Sequence, residues 1–237
     1  CGESQQASAL QDSTQPQAQL AAGSSGFQQI YQMVQQVTRQ DGAMENAIAQ
    51  SGTNLIEVGN TAAKALTKQQ PLTVAGRDGG DIGTQLSVVG ELILAGLPTK
   101  AYQVSMGGFD THSGELATQA ELFSQLDAGV TALFNGLGRS ARGAGAVLVL
   151  YTEFGRRVLA NASGGTDHGS ANVVFVIGRE VRGGLYGEYP SLTRLDPNGN
   201  LIHTVDYRSV YATLIEHVLE MESRPFLGQS WPLLKFI

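Results

Sequence analysis

Three short stretches gather acidic, histidine and arginine side chains between hydrophobic runs: Gly107-Gly108-Phe109-Asp110-Thr111-His112, Tyr151-Thr152-Glu153-Phe154-Gly155-Arg156-Arg157, and Gly164-Gly165-Thr166-Asp167-His168-Gly169. Each lies where an apolar, strand-like run begins or ends, which in open α/β sheets is where ligands and catalytic groups collect. Carboxylate with imidazole is the ligand set of a divalent metal site that performs hydrolysis. Asp110 and His112 are two apart, so on extended backbone both face the same way and can approach one cation. The plainer alternative is a turn capped by Asp110 beside a surface histidine. Glu153 ends a run expected to be buried, where a carboxylate needs a cation, a metal or strong hydrogen bonds. Arg156 or Arg157 could supply a structural ion pair. One of them could instead face an anionic substrate, because guanidinium matches phosphate or sulfate oxygens bidentately. In the third stretch glycines allow close backbone approach, and His168 is expected to point from a tight loop. The alternative there is an Asp167 turn with His168 in solvent.

Other chemistries are poorly served. Ser105, Asp110 and His168 could be assembled on paper into a serine-hydrolase triad, but no G-x-S-x-G elbow exists. No G-x-x-x-x-G-K-[ST] phosphate loop is present, and the glycines at 76–83 do not form a dinucleotide fingerprint. Asn161-Ala162-Ser163 matches a glycosylation sequon, a pattern common by chance. His217 lies within a helical pattern and His203 near a polar turn, so neither is a strong candidate.

The elements that must position these groups follow from periodicity. Residues 1–25, rich in Gln, Ser and Ala, read as a flexible polar lead-in or linker, and 26–237 as one domain. Phe27, Ile30, Tyr31, Val34, Val37 and Met44 share a helical face, and a second helix is expected over 54–68. A loop over 69–80 leads to a helix capped by Asp81, with Leu86, Val89, Ile93 and Leu97 on its buried side. Residues 101–106 read as a strand ending at the Asp110 loop. Residues 115–137 form the clearest amphipathic helix, with Leu116, Phe123, Leu126, Val130, Leu133, Phe134 and Leu137 in register and Gly143 and Gly145 beyond it. The apolar run 146–151 suits a strand buried on both faces. Helix, strand, helix, strand over 81–155 then predicts a right-handed crossover with a parallel pair at its centre. A loop over 156–170, a buried strand at 173–177, hairpin-like pieces over 181–205, an Asp206-capped helix to Val218 and an irregular tail complete the reading.

Composition sets the outer bounds. At 237 residues and 42% hydrophobic, the chain can bury one sizeable core. A net charge of −6 argues against nucleic acid as a partner. No apolar run reaches the ~20 residues that span a bilayer. With Cys1 the single cysteine, no internal disulfide or cysteine-based zinc site can form. Cys1 itself reads either as a lipidated terminus or as a break in a longer protein.

With these residues in view, the chain resembles the bacterial domain of unknown function 1501, whose members are often called sulfatase-like and are grouped with the alkaline phosphatase-like superfamily. The resemblance rests on Val104-Ser105-Met106-Gly107-Gly108-Phe109-Asp110-Thr111-His112, Thr152-Glu153-Phe154-Gly155-Arg156-Arg157, Gly164-Gly165-Thr166-Asp167-His168-Gly169, Arg182-Gly183-Gly184-Leu185-Tyr186-Gly187 and Thr204-Val205-Asp206-Tyr207-Arg208-Ser209-Val210-Tyr211-Ala212, in the family's order. It implies a three-layer α/β/α sandwich of alkaline phosphatase-like type, incomplete on its N-terminal side, with metal-binding loops at the strand ends. It further implies that Asp110, His112 and His168 hold one divalent metal (Zn, Ca or Mg), with Asp167 as a further candidate ligand, and that Glu153 stands where a second metal's carboxylate lies. Phe154 departs from the pattern, since many superfamily members have a histidine there, and the superfamily's nucleophile is expected upstream of this segment. The function implied is hydrolysis of phosphate or sulfate esters, on a small anionic ester substrate, with Arg156 or Arg157 orienting the anion. The location implied is periplasmic or extracellular. The alternative is a non-catalytic binding or assembly protein that keeps the fold with a degenerate metal site.

Overall fold

The computed structural model describes residues 80–138 and 140–237. The lead-in expected over 1–25, the two helices expected between Phe27 and residue 68, and most of the 69–80 loop lie outside the described residues. The described chain is mixed α/β. Its elements are α1 (Gly80–Ala95), α2 (Glu115–Leu137), β1 (Val147–Leu150), β2 (Gly155–Ala160), β3 (Thr166–Gly169), β4 (Phe175–Gly178), α3 (Tyr207–His217) and α4 (Arg224–Leu227). By compactness the chain divides into one unit of Cys1–Val104 with Gln125–Gly136, and another of Ser105–Ser124 with Leu137–Ile237.

In the first unit, Asp81 sits inside the first turn of α1 rather than at its cap. There it faces the positive end of the helix dipole and accepts from Gln85 Nε2 at 3.0 Å. Ile82, Leu86, Val88 and Leu92 are buried, while Val89 and Ile93 of the expected face are half-buried. Val88 and Leu92 pack with Leu97 and Tyr102. A Cβ on Gly129 of α2 would lie 3.2 Å from Gly83 Cα, so two glycines let the two helical backbones approach closely here. Residues 101–106 show the alternating exposure expected of a half-buried strand, yet they join no ladder among the described residues.

The second unit holds both small sheets. β1 pairs antiparallel with β4, Val147 opposite Gly178 and Leu150 opposite Phe175. The predicted parallel pair is therefore corrected. A continuous apolar run signals burial but does not encode strand direction, and the inference needed 101–106 as a partner strand. The strands are only half-buried, and Val173 and Phe175 are exposed, against expectation. Nor is 156–170 a plain loop. β2 and β3 form an antiparallel hairpin with Gly155 opposite Gly169, Arg156 opposite His168, and a register shift before Ala160 pairs with Thr166.

Helix α2 keeps its expected span, but its N-terminal stripe is not uniformly buried: Leu116 is 88% exposed, whereas Leu137 is fully buried. The helix stops at Leu137. A Cβ at Gly143 would come 2.5 Å from the Leu137 carbonyl, so the returning chain requires glycine there. Within 181–205 the expected hairpin-like pieces form no strand; side chains tie the segment instead, with Thr204 Oγ1 taking the Glu188 amide at 3.1 Å and donating to its carbonyl at 2.9 Å. The α3 cap is as expected: Asp206 accepts from the Arg208 amide, and the helix ends with Val218 as its C-cap. The tail after α4 docks by single contacts, Leu234 N donating to buried Thr213 Oγ1 and Arg182 N to the Phe236 carbonyl, each at 2.8 Å.

Candidate metal centre

The loop 107–114 and strand β3 bring Asp110, His112 and His168 together. One ligand atom from each lies within 4.8 Å of the others, and all three residues are exposed. Asp110 Oδ1 is the meeting point: His168 Nε2 is 2.6 Å away and His112 Nε2 3.0 Å. The imidazoles stack on each other, centroids 5.0 Å apart and planes 30° from parallel. Ligand atoms on one zinc ion stand ~2.0–2.2 Å from it, hence ~3–4 Å from one another. His112 stands at the short end of that range from Asp110 and His168 just short of it, so the donors are spaced closely enough to share one ion. A divalent cation would take the place of the imidazole protons that Oδ1 now accepts, so the chemistry of the donor set fits such an ion.

The carboxyl group of Asp110 is held below the ordinary carboxylate range. The hydrogen bond with His168 is the largest cause, and electrostatic attraction to His112, His168 and Arg156 adds to it. A carboxylate kept ionised is a better ligand, because cation binding then displaces no proton from it.

The sequence sets His168 apart from the other two ligands by 56 or more residues, so something must hold loop and hairpin in register. Arg156 does much of this. Its side chain is 18% exposed. Nη1 donates to the Thr166 carbonyl at 2.6 Å, and Nη2 donates to the Phe109 carbonyl and, at 3.4 Å, to Thr111 Oγ1. A second tie runs through α2: Thr166 Oγ1 donates to Glu115 Oε2 at 2.7 Å, while Gln119 Nε2 reaches both Glu115 Oε1 and Thr111 Oγ1 at 2.9 Å. A third is Asn161, whose Nδ2 donates to the His112 carbonyl at 3.0 Å while its Oδ1 accepts from the Ser163 and Gly165 amides. Ser113 and Gly164 form an isolated antiparallel bridge beside it.

The remaining candidates are distributed around this cluster. Asp167 Oδ1 lies 3.5 Å from His112 Nδ1, a charge contact at the ring nitrogen turned away from Asp110. Glu153 is exposed, joins no ion pair among the described residues, and is outside the three-residue cluster. The buried carboxylate expected at the end of β1 is therefore corrected to one in solvent. Phe154 stacks flat against His168, centroids 3.8 Å apart and planes 10° from parallel, with the Arg156 guanidinium 5.2 Å from its centroid. Arg157 is exposed and its Nε donates to the His168 carbonyl at 3.3 Å. The supporting residues Thr111, Glu115, Gln119, Asn161 and Thr166 were not candidates from sequence. Thr111 and Thr166 stood there only as members of the motif stretches and Asn161 only as a sequon, whereas its amide here ties the hairpin turn to the His112 carbonyl.

A family model described as protein of unknown function (DUF1501) matches residues 3–232, and the chain belongs to that family. No curated protein and no solved structure matches the chain significantly.

Proposed function

We propose that this family member is a metal-dependent hydrolase of phosphate or sulfate esters, built on a three-layer α/β/α domain of alkaline phosphatase-like type and acting in the periplasm or outside the cell. The observation that carries the proposal is the convergence of one carboxylate and two imidazole nitrogens from separate segments onto a single point. Two nitrogens and one oxygen favour Zn²⁺ over Ca²⁺ or Mg²⁺, which take oxygen donors. When bound, such a cation polarises an ester oxygen and stabilises the negative charge of the transition state. Around it, Asp110, His112 and His168 are the ligands, Asp167 stands beside His112, and exposed Arg157 is the cation available to an incoming anion.

The test is metal content and turnover on the same full-length protein. Elemental analysis is expected to find one equivalent of metal in wild type and almost none in His168→Ala, with aryl phosphate or sulfate hydrolysis lost in parallel. Metal-free wild-type protein, with His168→Ala unchanged in every assay, would falsify the reading.

A second reading, a non-catalytic binding or assembly protein that keeps the fold with a degenerate metal site, is favoured by Phe154. A phenyl ring flat on His168 fills the place where the superfamily supplies a further metal ligand. Metal-free protein with no hydrolysis of any aryl phosphate or sulfate would decide for it.

A further inference from the structure

We propose that Arg156 is a positioning residue: by holding acceptors on both ligand-bearing segments, it sets the spacing between Asp110 and His168 at which they can share a cation. This rests on the metal reading above and deepens it. The acceptors bracket the ligands closely. Phe109 immediately precedes Asp110 and Thr111 immediately follows it, while Thr166 lies two residues before His168 on β3. Arg156 also stands opposite His168 in the β2–β3 ladder. Its guanidinium lies over Phe154, whose ring in turn lies flat on His168. The chain thus reaches His168 from its own arginine along two routes, one through the Thr166 carbonyl and one through the phenyl ring. Meanwhile the guanidinium is 3.8 Å from Asp110 Oδ1. That is too far for a strong hydrogen bond, so the carboxylate's lone pairs stay directed at the imidazoles and the arginine acts on it by charge and by holding its neighbours. An arginine with both terminal nitrogens bound to its own chain is poorly placed to bind substrate, which leaves that task to Arg157.

Lysine cannot do the same work, because one ammonium cannot span two carbonyls on separate segments in a planar fork. The test compares wild type, Arg156→Gln, Arg156→Lys and, as a control for charge, Arg194→Gln in the exposed 181–205 segment. Zn²⁺ affinity is measured by competition with a chromophoric chelator, and the ring nitrogens of His168 are followed by ¹⁵N NMR in metal-free protein. Arg156→Gln is expected to weaken Zn²⁺ binding by roughly 10–100-fold, the usual effect of losing a group that orients metal ligands. Arg156→Lys should recover only part of this, and Arg194→Gln should bind like wild type. In metal-free protein the hydrogen-bonded His168 Nε2 signal should disappear in Arg156→Gln. Wild-type affinity in Arg156→Gln, or a lowered melting temperature with the ring signal unchanged, overturns the proposal. If wild type binds no Zn²⁺, the hydrolase reading fails, and the ring signal alone decides whether Arg156 positions His168. Should Arg156→Gln not fold, Arg156→Lys decides on the same two measurements.

Discussion

His168 is fixed by contacts on several sides: Asp110 at its Nε2, the Phe154 ring on one face, and the His112 ring stacked nearby. Replacing Phe154 with leucine removes the stacked partner while retaining apolar bulk. Aromatic pairs contribute about 0.5–1.5 kcal/mol beyond their buried area. A double-mutant cycle of Phe154→Leu with His168→Ala should return a coupling in that range by denaturant unfolding, and additive losses would mean the stacking is idle. The Asp110 carboxyl offers a test by pH. Its folded value is lowered, so its charged form favours the folded state. That contribution is present above the ordinary carboxylate value of ~3.9 and is lost as pH falls through the lower folded value. A ¹³C titration of the Asp110 carboxyl should show a midpoint below the ordinary one, moving upward in His168→Ala. An unmoved midpoint would mean that the hydrogen bond is not the cause. At this scale the sequence disclosed the residue types well. It could not disclose the use of Arg156, because an arginine that faces substrate and one that binds carbonyls 10 and 47 residues away are spelled identically.

The β2–β3 hairpin delivers His168 to the loop carrying Asp110, and its turn depends on one missing side chain. A Cβ at Gly165 would lie 2.3 Å from the His112 carbonyl carbon, which is backbone and cannot swing aside. Gly165→Ala must therefore part loop from hairpin. We expect a loss of about 1–3 kcal/mol, as for overpacked sites, together with loss of Zn²⁺ binding. Stability and affinity both like wild type would show that the turn can shift at no cost. Helix α3 carries a separate prediction. Asp206 caps it and also holds Arg208 by two charge-assisted bonds, at 2.8 and 2.6 Å, which pull its carboxyl down to about 2. Replacing a good N-cap with alanine costs typically about 1 kcal/mol. Because the shift is downward, the ionised cap's advantage is complete above about pH 4 and fades as pH falls toward 2. Wild type and Asp206→Asn compared by urea unfolding at pH 5 and at pH 2.5 should therefore converge at the lower pH; a constant gap would show that ionisation is irrelevant. The contrast between these elements explains what was legible. A helix start is written locally by its capping residue, so α3 could be placed to the residue. The partner and direction of β1 depend on distant chain, and nothing within Val147–Leu150 encodes them. Likewise the hairpin's first strand, Gly155–Ala160, carries two arginines and no clean alternation, so it read as loop.

At the scale of the whole chain, a cation at Asp110, His112 and His168 would act as a staple between segments far apart in sequence. A ligand that binds only the folded protein stabilises it by RT ln(1 + [L]/Kd), about 2.7 kcal/mol at a hundredfold excess over Kd. For a chain of 237 residues, each kcal/mol moves the melting temperature by roughly 2–4 °C. Saturating Zn²⁺ should thus raise Tm by roughly 5–10 °C, a chelator should reverse the rise, and His168→Ala should show none of it. The size of the response separates two cases that metal analysis alone would merge. An ion held as well by the histidines of the unfolded chain as by the folded cluster would bind without moving Tm, because the shift measures only preference for the folded state. A site organised by Arg156, Glu115 and Asn161 ties the ion to three neighbouring elements, so its release requires them to part. Equal Zn²⁺ stoichiometry with no thermal shift would therefore leave the cluster as a passive surface feature and remove the physical basis for calling it a catalytic centre.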